Sequence, residues 1–336
     1  MTSKRILIPP VLLAAAIALG APRAAGAETR EVRIARQYGL SYLPLLVIED
    51  QHLIEKRAAA AGLGEVKVTW ATVSGGAAAT DALLSGSVDY IATGVTPLVM
   101  LWSKSGGQVK GVAALDSTPV YVNTVNPAVR TVADFTERDR IAVPSVKVSI
   151  QAVVLQMAAA KAFGPDQWAR LDPLTVAVKH PDAAAALLSG HSEITAHAAS
   201  PPFVGQELAS GRVRTVLNSY DLLGGPHTFD VISSTVPFAQ ANPRIFAVVY
   251  EALGDAGNWI RKNRPAAAET YLRISGSKEP LARVLAQIED PAVAYTTTPQ
   301  RITAFTAFMA RTGAIKSAPA DWRELFFSTV HAQPGS

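Results

Sequence analysis

The sequence predicts an α/β fold of two lobes, joined by two crossover segments, with a ligand cleft between the lobes. The first indication is a duplication: residues 79–97 and 183–201 are identical at eight of nineteen positions at a constant offset of 104, and both contain the run Ala-Leu-Leu-Ser-Gly. The second is the alternation of strand and helix patterns in each copy, which is typical of a sheet with parallel strands covered by helices on both faces. Two copies are too few for a solenoid and indicate two similar lobes.

The first copy contains three strand–helix pairs. Residues 31–36 (EVRIAR) alternate apolar and polar side chains and therefore predict a strand. After a turn-rich loop, an apolar helical stripe begins near Pro44, a residue that the first turn of a helix tolerates. The elements predicted in this copy are a strand over 31–36, a helix over 43–53, a strand over 66–73, a helix over 77–84, a strand over 88–92 and a helix after 93–97.

The second copy repeats this order. The predicted elements are a strand over 140–143, a helix from Ile150, a strand over 174–178 and a helix over 182–188 that ends at a second Ser-Gly pair. The strand-to-helix loop is about four residues longer in the first copy, at residues 74–76 (SGG). Loops at the carboxyl ends of strands bind ligands in open α/β sheets, so this difference marks a candidate site.

Two segments link the copies. Residues 120–122 lead from the first copy to the second, and the strand-like residues 229–233 (FDVIS) return to the first lobe. Two crossings allow hinge closure. The predicted limits are 28–121 with 228–336 for lobe 1 and 122–227 for lobe 2. Further helical segments, expected to complete and cover lobe 1, are predicted over 243–260, 265–274, 281–288, 299–311 and 321–327.

Residues 1–27 have the pattern of a signal peptide. Lys4 and Arg5 precede an apolar run that is shorter than the ~20 residues of a membrane span, and Ala25-Gly26-Ala27 forms a cleavage motif. We therefore expect cleavage after Ala27 and export to the periplasm. The chain has 31 basic and 27 acidic residues, and three of the basic residues lie in the leader, which leaves a net charge of +1 and no basic run for nucleic acid. The chain contains no cysteine. Disulfides, thiol catalysis and Cys-based metal sites are therefore excluded.

Binding chemistry is easier to locate than catalysis. The motifs H-E-x-x-H, G-x-S-x-G, G-x-x-x-x-G-K-[ST] and G-x-G-x-x-G do not occur in the chain. Loops at Ser41, 74–76 and 145–149 precede predicted helices, whose free N–H groups and partial positive charge favour an anion. Ordinary N-capping by serine is the alternative interpretation. Lys147 would add a charge to such a site or would lie in solvent.

The histidines allow more than one interpretation. His197 aligns with Thr93 at the offset of 104 and is expected just past the third strand of its copy, where it would contact a ligand or serve as a structural histidine. His180 and the His191-Ser192-Glu193 run could be combined with it as a metal site, but no spacing is diagnostic of one, and His191 fits a solvated turn. We predict no metal site.

Two runs carry a family resemblance: residues 82–90 (ALLSGSVDY) and 93–97 (TGVTP). With the leader, they resemble the nitrate/taurine/sulfonate type of periplasmic substrate-binding protein, the soluble component of ABC importers, over about 32–259. The resemblance implies the type II periplasmic binding-protein fold. It also implies ligand contacts from the loops at 38–42, 74–76, 93–96 and 145–149 and from the loop at His197.

The chain departs from this family pattern at three places. Val95 stands where the family often has Asp, His197 stands where an aromatic residue is common, and residues 134–138 (DFTER) replace a usual Asp-Leu-x-Gly-Lys. We therefore expect the fold to carry over but not the substrate. Enzymes of this fold, such as a pyrimidine synthase and a desulfinase, depend on cysteines that this chain lacks, so a non-enzyme is expected.

The predicted function is that of a periplasmic solute-binding component, which closes on a small polar, anionic organic solute such as a sulfonate, nitrate, a taurine-like molecule or a carboxylate. Its expected partner is an ABC permease and ATPase complex at the inner membrane; a monomer is expected, with no nucleic acid and no cofactor. An exported enzyme with His197 or His180 as base, or a receptor without transport, are the alternatives. The expected substrate-binding residues are Tyr38, Ser41, Tyr42, Ser74, Gly75, Gly76, Thr93, Thr96, Tyr121, Lys147, Ser149 and His197.

Overall fold

The computed structural model describes residues 28–336, so the predicted signal peptide lies outside the described residues. Ten strands form two five-stranded sheets. The first sheet has the order β2-β1-β3-β10-β4, and its strands are β1 (Glu31–Arg36), β2 (Lys67–Thr72), β3 (Tyr90–Gly94), β4 (Val109–Ala114) and β10 (Asp230–Thr235). The second has the order β7-β6-β8-β5-β9, and its strands are β5 (Tyr121–Thr124), β6 (Ile141–Val143), β7 (Thr175–Ala177), β8 (Ala196–Ala199) and β9 (Arg214–Asn218).

The two sheets have the same topology. In the first, β1 is parallel to β2 and β3, whereas β10 is antiparallel to both β3 and β4. In the second, β6 is parallel to β7 and β8, whereas β5 is antiparallel to β8 and β9. The strands β5 and β10 are the ones that follow a crossing between sheets. The sequence predicted parallel strands; the sheets are mixed because each crossing strand enters from the opposite end.

The crossings show that the returning strand was predicted correctly. Residues 229–233 were expected to return to the first lobe, and β10 lies in the first sheet with Asp230 opposite Gly94. The lobe limits along the chain stay a prediction. The first sheet with its helices is called lobe 1, and the second sheet with its helices is called lobe 2.

Thirteen α-helices within the described residues surround the sheets: α1 (Leu43–Gln51), α2 (Leu53–Ala60), α3 (Gly76–Leu84), α4 (Val95–Lys104), α5 (Ile150–Phe163), α6 (His180–Ser189), α7 (Phe203–Leu208), α8 (Ser219–Leu223), α9 (Val236–Ala241), α10 (Pro243–Lys262), α11 (Arg264–Ser275), α12 (Leu281–Ile288) and α13 (Ile302–Arg311). Two of the helices predicted from the sequence differ from those in the structure. The helix over 43–53 breaks at His52, which adopts a left-handed φ of 52°, and residues 321–327 form only a 3-10 turn at Trp322–Leu325. None of the helices in residues 28–336 is both long and apolar enough to cross a membrane.

The duplicated run is structural, as its residue types predict. In both copies it ends a helix, α3 in lobe 1 and α6 in lobe 2, and the glycines Gly86 and Gly190 have left-handed φ values of 71° and 72°. Glycine adopts this conformation without the steric cost that a side chain would bring. The repeat therefore positions the helices, and its own residues need not touch a ligand.

The core is continuous through both lobes. All five residues of β3 and all four of β8 are buried. The C-terminal helix α10 packs along α1 and buries Ile245, Val249 and Ile260 on one face. Burying a side chain of this size contributes about 1.5–3 kcal/mol. The C-terminal helices therefore stabilise lobe 1 through the helices that cover its sheet.

Candidate functional site

Two adjoining cavities lie where the lobes meet, and both include Gln37, Tyr38 and Tyr42. The inner pocket measures about 10 Å³, and the outer cavity about 350 Å³. The inner pocket is lined by Gln37, Tyr38, Tyr42, Gly76, Gly94, Pro97, Ser149, Ile150, Gln151, His180, Phe229 and Asp230. The outer cavity is lined by Arg36, Gln37, Tyr38, Gly39, Tyr42, Leu46, Thr72, Pro181, Phe203, Tyr271, Ile274, Ser275, Gly276 and Ser277. A third cavity, of about 290 Å³ beside α10, lies within lobe 1 and away from the cleft.

Four helices begin at the inner pocket. Two come from lobe 1, α3 at Gly76 and α4 after Gly94, and two come from lobe 2, α5 at Ile150 and α6 at His180. The first turn of a helix carries N–H groups without intrahelical partners and a partial positive charge of about half a unit. Four such ends surround one space whose lining contains no lysine or arginine, and their dipoles favour an anion there.

The lobes touch directly around this pocket. The Thr96 hydroxyl of lobe 1 donates to the Val148 carbonyl of lobe 2 at 2.8 Å, and the Leu40 N–H donates to the Pro201 carbonyl at 2.8 Å. At Gly75 a Cβ atom would lie 2.5 Å from the Pro144 carbonyl oxygen, which leaves room only for glycine. A volume of about 10 Å³ corresponds to a single water. This conformation is therefore closed, and a larger molecule enters only when the lobes separate.

A pair of buried carboxyls forms the lobe 1 side of the site. Asp230 accepts a hydrogen bond from the Ser41 hydroxyl at 2.5 Å and lies beside the Tyr42 hydroxyl, while its Oδ1 is buried with no partner among residues 28–336. Asp116 accepts from the Asp230 N–H at 3.0 Å and from the Thr118 hydroxyl at 2.5 Å. Burial raises the pKa of Asp230 to about 7, and burial together with the Asp230 charge raises the pKa of Asp116 well above its ordinary range.

These shifts have a chemical consequence at the pocket. A carboxyl with a pKa near 7 is protonated in about half of the molecules at neutral pH, and its protonated form is a hydrogen-bond donor. The only carboxyl in the lining of the inner pocket is thus compatible with an anionic neighbour.

Arg36 supplies a buried cation to the outer cavity. It follows the apolar core of β1, is 7% exposed, and lies with its guanidinium 2.5 Å from Glu49 and over the Trp70 ring at 5.1 Å. Its Nη1 is buried and has no hydrogen-bond partner among the described residues. Burial lowers the pKa of Arg36, but a guanidinium stays charged in proteins. An unpartnered buried donor of this kind fits an anionic group in the cavity.

Histidines form the lobe 2 side. His180, the first residue of α6, lines the inner pocket, and its Nδ1 lies 2.7 Å from His197 Nε2. His197 Nδ1 lies 2.5 Å from Glu207, and His180 Nε2 lies 3.1 Å from the Gln151 amide nitrogen. The His180 ring also stacks on Phe203 with centroids 5.4 Å apart. Burial, and then the proximity of His197, lower the pKa of His180 well below its ordinary value, so this imidazole is neutral.

The structure brings most of the predicted site residues to the cleft. Tyr38, Tyr42, Gly76 and Ser149 line the inner pocket. Four others are buried around it: Ser41 donates to Asp230, Gly75 and Thr96 contact lobe 2, and Thr93 lies in β3.

Four predicted residues lie elsewhere. Ser74 and Lys147 are exposed and line neither cavity. Lys147 has a left-handed φ of 63°. Tyr121 is half-buried at the start of β5, also outside both linings. His197 does not follow its strand as expected; it is the second residue of β8, fully buried behind His180. Whether these four residues contact a ligand stays a prediction.

Several lining residues were missed from the sequence: Arg36, Gln37, Gln151, Phe203 and Asp230. One of them had a visible signal. Asp230 is the only charged residue in the apolar run 229–233, and a carboxyl inside a predicted strand calls for an explanation. Gln151 had no signal, since a glutamine in the first turn of a helix is ordinary. Within residues 28–336, no group of three or more His, Cys, Asp or Glu side chains is arranged to hold a metal ion.

Comparison with solved structures identifies the architecture. An alkanesulfonate-binding protein from Xanthomonas axonopodis pv. citri, bound to MOPS, is 23% identical, with 90% of this chain and 98% of that chain covered and a TM-score of 0.67. The periplasmic aliphatic sulphonate binding protein of Escherichia coli is 20% identical, with coverages of 90% and 93% and a TM-score of 0.64. The periplasmic nitrate-binding protein of Synechocystis PCC 6803 is 14% identical, with coverages of 88% and 84% and a TM-score of 0.68.

The chain has the periplasmic binding-protein fold. The predicted fold class, two α/β lobes with a cleft between them, is therefore confirmed. No protein-family model matches the chain, and no curated protein matches it significantly. Because the identities to these structures are below 25%, the likeness concerns the fold.

Proposed function

We propose that the protein is the periplasmic solute-binding component of an ABC importer. It closes its lobes on a small polar, anionic organic solute and delivers it to a permease and ATPase complex at the inner membrane. The proposal is supported by the fold, by the sulfonate- and nitrate-binding proteins that share it, and by a closed cleft with contributions from both lobes.

The observation that carries the proposal is the meeting of four helix starts at the inner pocket. A helix N-terminus stabilises an anion through its free N–H groups and its dipole. Arg36 adds a buried donor in the adjoining cavity, and Asp230 is able to carry a proton. The inner pocket has room for a single water in this conformation, so an organic anion would hold the lobes slightly further apart. It would place its charged group among the helix starts and extend toward Arg36.

The mechanism is hinge closure around the two crossings. The first crossing, residues 115–120, and the second, residues 219–229, are held together: the Ser219 N–H donates to the Val120 carbonyl at 2.9 Å, and the Val120 N–H donates to the Ser219 hydroxyl at 2.8 Å. Rotation about this pair would open the cleft without disturbing either sheet. Closure on a solute would bury it and present to the permease a surface that the open state lacks.

An enzyme that uses His180 or His197 as a base is less well supported. Each ring nitrogen of the two histidines lies within hydrogen-bond distance of another protein group, so none is free to take a proton from a substrate. A receptor without transport would use the same cleft; capture by a permease and ATPase complex reconstituted in vesicles would distinguish it from the importer component.

Thermal-shift screening of the purified mature protein tests the proposal. The panel contains alkanesulfonates including MOPS, taurine, nitrate, carboxylates, and uncharged and cationic molecules of similar size. A ligand at 100 times its Kd stabilises the folded state by about 2.7 kcal/mol. We expect a rise in Tm with one class of anion. A rise only with cations or uncharged molecules would contradict the anionic solute, and size-exclusion chromatography of the same sample tests the proposed monomer.

A further inference from the structure

A continuous chain of hydrogen bonds runs through lobe 2 from a buried carboxylate to the inner pocket. Glu207 Oε1 lies 2.5 Å from His197 Nδ1, His197 Nε2 lies 2.7 Å from His180 Nδ1, and His180 Nε2 lies 3.1 Å from Gln151 Nε2. Glu207 and His197 are fully buried, and Gln151 is 4% exposed. Of the four, His180 and Gln151 reach the pocket lining.

The groups bonded to Glu207 determine which atom donates in each hydrogen bond of this series. The Thr215 hydroxyl donates to Asn123 Oδ1 at 2.7 Å, and Asn123 Nδ2 donates to Glu207 Oε2 at 2.8 Å. Glu207 accepts from Asn123 through Oε2, and with both of its oxygens as acceptors the proton of the 2.5 Å contact lies on His197 Nδ1. In the neutral form of His197 one ring nitrogen donates and the other accepts, so Nε2 is then the acceptor.

The same logic passes through His180 to Gln151. His180 donates from Nδ1 to His197, so its Nε2 is an acceptor. An amide nitrogen only donates, and the Gln151 nitrogen is the atom that faces His180 Nε2. The Gln151 carbonyl oxygen is therefore left over, and it accepts no hydrogen bond from the residues that the structure describes, while the side chain lines the inner pocket.

We propose that Glu207, His197 and His180 act as positioning residues, which hold the Gln151 amide with its carbonyl oxygen toward the inner pocket. The pocket would then select a solute that carries a hydrogen-bond donor, an ammonium, hydroxyl or amide N–H group, next to its anionic group. This inference rests on the proposed function in one respect, that the inner pocket is where the solute binds.

The substitution Glu207→Gln reverses the chain without changing its shape. Asn123 still donates, so the new amide places its oxygen toward Asn123 and its nitrogen toward His197 Nδ1. His197 then carries its proton on Nε2, and so does His180, which now donates to Gln151. The Gln151 amide turns over and presents its NH₂ group to the pocket.

The tautomers are measured without any ligand. Protein labelled with ¹⁵N at histidine is studied by long-range ¹H–¹⁵N NMR at a pH above the ordinary histidine pKa. We expect protonated Nδ1 in His180 and His197 of the wild type, and protonated Nε2 in both residues of Glu207→Gln. Glu193→Gln, the same substitution at an exposed position of lobe 2, should leave the wild-type pattern. A wild-type His180 protonated at Nε2 would overturn the proposal, whether or not the variant folds.

Two sulfonates of equal charge then test selection: 2-hydroxyethanesulfonate, whose hydroxyl donates, and 2-methoxyethanesulfonate, whose ether only accepts. We expect the wild type to prefer the first by about tenfold or more, since the wrong partner leaves a buried polar group unpaired. Glu207→Gln should abolish this preference, because a hydroxyl and an ether both accept from the NH₂ group. An unchanged preference in the variant would contradict the positioning role. If neither sulfonate binds but both tautomers are as expected, the positioning role is supported and the sulfonate form of the proposed function is wrong.

Discussion

The two lobes share one strand order but place different chemistry at the cleft. Lobe 1 has a buried carboxyl pair, Asp116 and Asp230, of which Asp230 lines the inner pocket. Lobe 2 has two histidines backed by Glu207, of which His180 lines it. Asp230 begins the crossing strand β10, whereas His197 lies in the third strand β8. Neither cluster belongs to the Ala-Leu-Leu-Ser-Gly run. The comparison teaches that the repeat sets the backbone, while residues outside it set the chemistry of each lobe.

Burial shifts the pKa values of the two clusters in opposite directions. It raises the pKa of the carboxyls and lowers the pKa of His180. Both changes favour the neutral form near neutral pH. Neither Asp230 nor His180 therefore adds a full charge to the inner pocket, and attraction for an anion comes from the helix starts and Arg36.

We expect the largest effect from Asp230→Asn, which removes one carboxyl of the lobe 1 pair. The folded-state pKa of Asp230, about 7, is higher than its ordinary value of 3.8, so the folded state binds more protons between these values. Its contribution to stability is full below pH 3.8 and is lost as pH rises to about 7. Urea titrations across this pH range give the free energy of unfolding of each protein. The value for the wild type minus the value for Asp230→Asn should fall as the pH rises. A difference independent of pH would contradict the raised pKa.

The second effect concerns the contact between the lobes. In Gly75→Ala the new Cβ atom meets the Pro144 carbonyl, and overpacking of this kind costs about 1–3 kcal/mol in the closed state. Affinity for the solute found in the screen should fall by about tenfold or more in calorimetry, with the Tm of the free protein little changed. Gly254→Ala in α10, where a new Cβ atom meets nothing within 4 Å, is the matched control. Equal affinity in Gly75→Ala would mean that the binding state is not the closed one.

The third effect tests the buried cation. Removing a charged hydrogen-bond donor costs about 1.5–3 kcal/mol, so Arg36→Gln should lower the affinity for an anion by about tenfold or more. The double variant Arg36→Gln with Glu49→Gln removes the carboxylate left unpaired and serves as control for local charge. If calorimetry finds wild-type affinity in both variants, the anionic group does not reach the outer cavity.

The smallest effect is expected at Lys147. Its side chain is exposed outside both cavities, and surface substitutions of this kind change binding or stability by less than about 0.5 kcal/mol. Lys147→Ala should therefore bind the solute with unchanged Kd. A loss of tenfold would show that the loop over 145–149 turns inward when the solute binds and would restore the site predicted from the sequence.

Much of the fold was predictable because its signals are local. The period-2 pattern of residues 31–36 predicted β1 at its observed limits, and the Ser-Gly pairs marked the ends of α3 and α6. The short strand β8, Ala196–Ala199, carries no such pattern, because three alanines and a histidine fit many structures. The position of His197 was therefore taken from its alignment with Thr93. It was wrong because β3 extends to Gly94 and not only to residue 92, so both residues lie inside their strands.

The sequence by itself determined the two-lobed α/β plan, since hydrophobic periodicity, turn residues and the duplication are properties of neighbouring positions. Only the tertiary structure decided which side chains meet in the cleft. Asp230 reaches the inner pocket because β10 enters its sheet antiparallel, Gln151 is oriented by Glu207 through two histidines, and Lys147 is exposed at a left-handed backbone position. Each of these outcomes depends on contacts between residues distant in the chain or on a backbone angle, and neither is encoded in a local pattern.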